Sequence, residues 1–115
     1  MPRTSGTLTD TALLQGGLDM MPANVTADYT AQPTDSWVRV TTGATNRTVT
    51  LPQLSAVPVG ATLIITKVDA GTGTLSVAAA SGNSVPVNTV GSSGARGTLV
   101  LKAADAATWD VVSRY

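Results

Sequence analysis

From Asn24 onward the chain is a series of short runs in which apolar and polar residues alternate, each closed by glycine, proline, asparagine or aspartate. Successive side chains of an extended chain point to opposite faces, so a two-residue period buries one face only as a strand. Residues 25–31 are a first strand candidate. Residues 36–42 place Val38 and Val40 on one face and Trp37, Arg39 and Thr41 on the other. Residues 47–51 alternate Val49 and Leu51 with Thr48 and Thr50, and with the turn at 42–46 these two runs read as a hairpin. Residues 61–68 carry Leu63 and Ile65 on one face and Ile64 and Val68 on the other, which suits a strand covered twice. Residues 74–79 turn Leu75, Val77 and Ala79 inward, and residues 85–87 form a short piece that Pro86 marks as an edge or a bulge. Residues 97–102 oppose Leu99 and Leu101 to Thr98, Val100 and Lys102, and in residues 108–113 Trp109 and Val111 share a face. The alanine clusters at 78–80 and 103–107 are too short to nucleate a helix. Short strands at regular spacing predict an all-β fold, a small antiparallel β-sandwich or barrel spanning residues 24–115.

Residues 1–23 behave differently. Leu8, Leu13, Leu14, Leu18, Met20 and Met21 are apolar but unevenly spaced, and Gly16-Gly17 breaks any helix there. A frayed terminus is one reading. The other is an extended arm that orders on a partner, because its apolar content exceeds what a solvated tail needs.

Chemistry is narrowed by what is missing. His, Cys, Glu and Phe do not occur. Imidazole is the usual proton shuttle near neutral pH, and thiol the usual soft ligand and nucleophile. The net charge is zero and only 12% of residues are charged, so the basic footprint that nucleic acid requires is absent. No apolar run reaches the roughly 20 residues of a membrane span. No charged-then-apolar secretory signal opens the chain. Without such a signal, the sequons Asn24-Val25-Thr26 and Asn46-Arg47-Thr48 read as chance matches. A surface so poor in charge suits a lone monomer badly. Aromatic residues make up only 3% of the chain, so a core built largely of Ala and Val is thin and calls for partners.

Individual candidates weigh the same way. Asp69-Ala70-Gly71-Thr72-Gly73 holds one acidic residue, where a calcium loop needs several oxygen ligands, and it reads as a turn. Asp105 and Asp110 flank Trp109 as in some sugar sites, but a tryptophan among apolar strand residues packs in a core. Lys67 and Lys102 lie on strands with no acidic neighbour beside them, and Ser92 and Ser93 have no base. The expectation is a structural or binding protein, not an enzyme, with no cofactor and no metal. Trp37 and Arg39 are residue types enriched at interfaces. With Ile64, Val68 and Val100, which face away from the leucine-lined side, they make the candidate subunit interface.

Val49-Thr50-Leu51-Pro52, then Val57-Pro58-Val59-Gly60, Leu63-Ile64-Ile65-Thr66-Lys67-Val68-Asp69, Leu99-Val100-Leu101-Lys102 and Thr108-Trp109-Asp110-Val111-Val112 follow one another in an order that resembles a small β-module of tailed-bacteriophage structural proteins. The module occurs in capsid decoration (cement) proteins and in head or tail fibres, and the resemblance covers roughly residues 25–115. It implies a homotrimer on the virion. The chain begins with Met1 and stops just after its last strand, which fits a small free-standing decoration protein better than a long fibre. On that reading trimers bind the major capsid protein on the outer capsid surface and stabilise the shell. Thr7, Leu8, Leu13, Leu14, Leu18, Met20 and Met21 belong to the capsid-binding arm. The alternative is a fibre or receptor-binding module, whose loops at 81–83 and 91–94 touch host glycans.

Overall fold

The computed structural model describes residues 22–115. The strands are β1 (Ala23–Val25), β2 (Tyr29–Thr30), β3 (Trp37–Val40), β4 (Arg47–Thr50), β5 (Thr62–Lys67), β6 (Leu75–Ala78), β7 (Thr89–Gly91), β8 (Gly97–Ala103) and β9 (Trp109–Arg114). A 3-10 turn at Leu54–Ala56 interrupts the connection from β4 to β5. The chain is all-β, in a five-stranded sheet ordered β9-β8-β5-β3-β1 and a four-stranded sheet ordered β2-β4-β6-β7.

Consecutive strands from β1 to β6 alternate between the two sheets. β1 pairs with β3, β3 with β5, β2 with β4 and β4 with β6, all in parallel. The chain therefore winds as a flattened coil before β7, β8 and β9 close it with antiparallel pairs. Alternation put the core where the period requires it. Val38, Val40, Val49, Leu51, Leu63, Ile65, Leu75, Val77, Leu99, Leu101 and Trp109 are buried between the sheets.

Side chains also extend the ladders past the strand ends. Asp28 Oδ1 accepts the Thr48 N–H (2.9 Å), and Asn46 Oδ1 accepts the Thr74 N–H (2.9 Å). Each acceptor lies just before a strand and satisfies a backbone donor on the next turn of the coil, where no strand residue remains to do so.

Several expectations need correction. Residues 36–42 and 47–51 are not a hairpin: β3 and β4 lie in different sheets and each pairs with strands of other turns. The sheets are consequently mixed in strand direction rather than wholly antiparallel. Residues 25–31 are not one strand, since the chain bends between β1 and β2 and changes sheet. Residues 85–87 form no strand. Ser84 makes an isolated bridge to Thr108, and pairing resumes at β7. The arm residues Thr7, Leu8, Leu13, Leu14, Leu18, Met20 and Met21 lie outside the described residues. Ala23, placed in the arm by its sequence, already belongs to β1.

Candidate functional site

The outer face of the five-stranded sheet is built by strand register. Trp37 on β3 lies opposite Ile64 on β5, Ile64 opposite Val100 on β8, and Val100 opposite Ser113 on β9. These residues form one row across four strands. The adjacent row runs Asn24, Arg39, Thr66, Thr98. Tyr115 and Thr98 exchange backbone hydrogen bonds at its far end. Trp37, Arg39, Ile64 and Val100, the residues expected at a subunit contact, are thus brought together on one surface. Val68 is at its rim, one residue beyond β5, where its N–H donates to the Val40 carbonyl (3.0 Å).

Side-chain bonds fix the aromatic end of this surface. Trp37 Nε1 donates to Thr66 Oγ1 (3.2 Å), and Thr66 Oγ1 lies 3.4 Å from Thr98 Oγ1. Arg39 donates through Nη1 to Asn24 Oδ1 (3.0 Å), and its guanidinium sits 5.5 Å from the Trp37 ring centroid. That distance suits a cation–π contact. A hydrogen-bonded indole with a guanidinium laid over it is a pre-positioned anchor of the kind that dominates interfaces.

Sequence reasoning missed Val112 and Tyr115, which are 53% and 79% exposed. The register of β9 against β8 shifts between Val111 and Ser113. This bulge moves Ser113 and Tyr115 onto the outer face, where simple alternation from Trp109 would not put them. The outer face of the four-stranded sheet is unlike this one. It carries Thr30, Thr48, Thr50, Ser76, Ala78 and Thr89. Small hydroxyl side chains there present little apolar area.

A second polar cluster closes one end of the sandwich. Lys67 is fully buried, and its Nζ donates to the carbonyls of Gly71 (2.9 Å), Ser92 (3.1 Å) and Ala95 (2.7 Å). Asp69 receives the N–H groups of Thr42 (3.1 Å) and Gly43 (2.9 Å) and the Thr42 hydroxyl (3.1 Å). Those two backbone bonds, helped by the Thr42 hydroxyl and the Lys67 charge, lower the Asp69 carboxyl to about 2. Gly71 permits the turns to meet, because a Cβ there would strike the Gly43 carbonyl oxygen. Gly91 makes room for the lysine stem in the same way, since a Cβ would lie 2.7 Å from Lys67 Cδ. The Asp69 turn is therefore a turn former, as its sequence suggests, and Lys67 is an internal tie between loops rather than a surface lysine.

Two concavities lie among the described residues. A cleft of about 450 Å³ lies between β6 and residues 83–88, and a groove of about 280 Å³ runs beside Gln32 and Gln53; no titratable side chain lines either. Among the described residues no group of three or more His, Cys, Asp or Glu could hold a metal. No helix there is long and apolar enough to cross a membrane. No protein-family model, curated protein or solved structure matches the chain.

Proposed function

We propose that this protein is a decoration, or cement, protein of a tailed-bacteriophage virion that binds the outer capsid surface as a homotrimer and stabilises the shell. One observation carries the reading: the Trp37–Ile64–Val100 row lies on the outer face of the five-stranded sheet, where β3 and β5 run in parallel, and its residues are only half-buried among the described residues. Parallel strands are ordinarily covered on both faces. Trp37, Tyr115 and Arg39 supply the residue types that anchor interfaces, and charged groups are few. A second copy of the chain gives this row its cover.

The mechanism is clamping. The trimer core is held by the outer faces, and the three arms, residues 1–22, reach neighbouring capsid subunits. Arms tied to one body act together, so weak contacts add to a firm hold without any one being strong. Capsid protein is the partner at the arm, and the capsid exterior is the location.

The test uses the full chain, its Ile64→Asp variant and a chain lacking residues 1–22, each followed by sedimentation and by co-pelleting with undecorated capsids. A charge at position 64 should give folded monomers that no longer decorate. The shortened chain should remain trimeric and fail to decorate. A wild-type monomer at micromolar concentration, or decoration that survives arm removal, overturns the proposal. Attachment of the trimer to host cells in place of capsids would favour the fibre reading.

A further inference from the structure

The outer face of the five-stranded sheet has two unlike sides. On β3, Trp37 is held by its bond to Thr66 Oγ1, and the Arg39 guanidinium lies 5.5 Å from the indole centroid. Both side chains are half-buried. At the far side, just after β9, Tyr115 is 79% exposed. A guanidinium is planar and stacks on aromatic rings. The Trp37 indole takes one of its faces, and the other suits a second ring.

Register fixes which residues stand level along the strands. Asn24, Arg39, Thr66 and Thr98 form one row, and the backbone hydrogen bonds exchanged by Tyr115 and Thr98 put Tyr115 at its end. Arg39 and Tyr115 therefore stand at the same height on opposite sides of the face. The next row runs from Trp37 through Ile64 and Val100 to Ser113, and the one beyond it holds Thr62, Lys102 and Asp110. A rotation axis parallel to the strands preserves height. It brings the Arg39 side of one copy to the Tyr115 side of the next and gathers Ile64 and Val100 around the axis. An axis across the strands preserves position along the row instead. It sets Tyr115 against Asp110 of the partner subunit, a carboxylate beside the negative face of a ring. A cation on that face is attracted and an anion repelled, so the first arrangement is the complementary one.

We propose that copies of the chain associate head to tail about a threefold axis parallel to the strands, with Tyr115 of the partner subunit laid on the Arg39 guanidinium. Trp37 and Arg39 are half of a site, and the neighbouring copy supplies the second ring. The ring of copies closes on itself, so the same pair recurs at every contact. The inference rests on reading this face as the contact between copies and deepens it by naming the residues that meet.

The chain contains no cysteine, so introduced thiols report without background. Arg39→Cys, Tyr115→Cys and the chain carrying both are treated with a short bis-maleimide. The double variant should give covalent trimers. Each single variant should stay uncrosslinked, and the two refolded together should give covalent dimers and nothing larger. Nitration by tetranitromethane tests the unaltered chain: Tyr115 should react several-fold more slowly in the trimer than in the Ile64→Asp monomer. Crosslinking of either single variant by itself, a double variant that sediments as a trimer yet gives no covalent trimer, or equal nitration of Tyr115 in trimer and monomer overturns the inference. Sedimentation separates its failure from that of the proposed function, because a wild-type trimer without these contacts leaves that function standing and a wild-type monomer removes both.

Discussion

At one end of the sandwich a lysine ammonium sits among three backbone carbonyls beside a carboxylate that caps a neighbouring turn. At the other end Trp109, Leu51, Leu54 and Ala103 fill the space between the sheets. Both ends must stop the core from opening to water where the strands run out. The polar end does so by joining three loops that are far apart in sequence: 41–46, 68–74 and 91–96. The bonds there are directional, and apart from the Thr42 hydroxyl every partner is a backbone group that would otherwise be short of a donor or acceptor. The apolar end relies on volume, and it is less perfectly satisfied, since the buried Trp109 Nε1 has no partner among the described residues. A chain with few large apolar residues can afford one such plug, and specific hydrogen bonding closes the other end.

The comparison can be broken most directly at the plug. Trp109→Ala should cost about 3–5 kcal/mol, the range for deleting a buried aromatic ring, measured by denaturant unfolding. An unchanged midpoint would mean that the apolar end does not hold the fold. At the polar end, Lys67→Met keeps the stem but removes the donor. It leaves the Gly71, Ser92 and Ala95 carbonyls to find other partners, and a loss of about 3 kcal/mol is expected. Exchange at residues 91–96 should quicken in that variant before exchange in β8 does. If Lys67→Met were as stable as wild type, the ammonium would be a tolerated burial rather than a tie.

Asp69 sharpens the contrast through pH. Its folded carboxyl titrates at about 2 against an ordinary value of 3.8, so the anion is favoured by folding. Its stabilising contribution is complete above about pH 4 and disappears as pH falls toward 2. Asp69→Asn should flatten the acid limb of the stability curve in that window, whereas Trp109→Ala should lower the whole curve without changing its shape. The smallest effect belongs to the first turn of the coil. Tyr29 donates its hydroxyl to Asp35 Oδ2 (2.6 Å), and that bond, with burial and the negative charge of Asp35, raises the phenol to about 12. Tyr29→Phe should cost about 1 kcal/mol at neutral pH. Because the raised phenol stabilises the fold only while protonated, the difference should shrink between pH 10 and 12.

Much of the facing of side chains was legible in the sequence. Val38 and Val40, Leu63 and Ile65, and Leu99 and Leu101 point inward as their period requires, and Trp109 is in the core. Trp37, Arg39, Ile64 and Val100 point outward together. Their meeting on one surface could only be guessed, because period two fixes which face a residue takes but not which strand lies next to it. Tyr115 joined that surface through a bulge that leaves no mark in the alternation. Lys67 looked like an ordinary strand lysine, since its partners are carbonyls from loops remote in sequence and carry no residue identity to read.

The sequence by itself determined that this protein is all-β, with strands facing two ways and little titratable chemistry, because alternation and composition act residue by residue. Only the tertiary structure decided that β1 to β6 wind in parallel between two sheets instead of folding back as hairpins. A short turn such as 42–46, with Gly43 and Asn46, reverses the chain equally well within a sheet or across to another. The choice depends on which pairing buries the most apolar surface over the whole chain, and no local stretch contains that information.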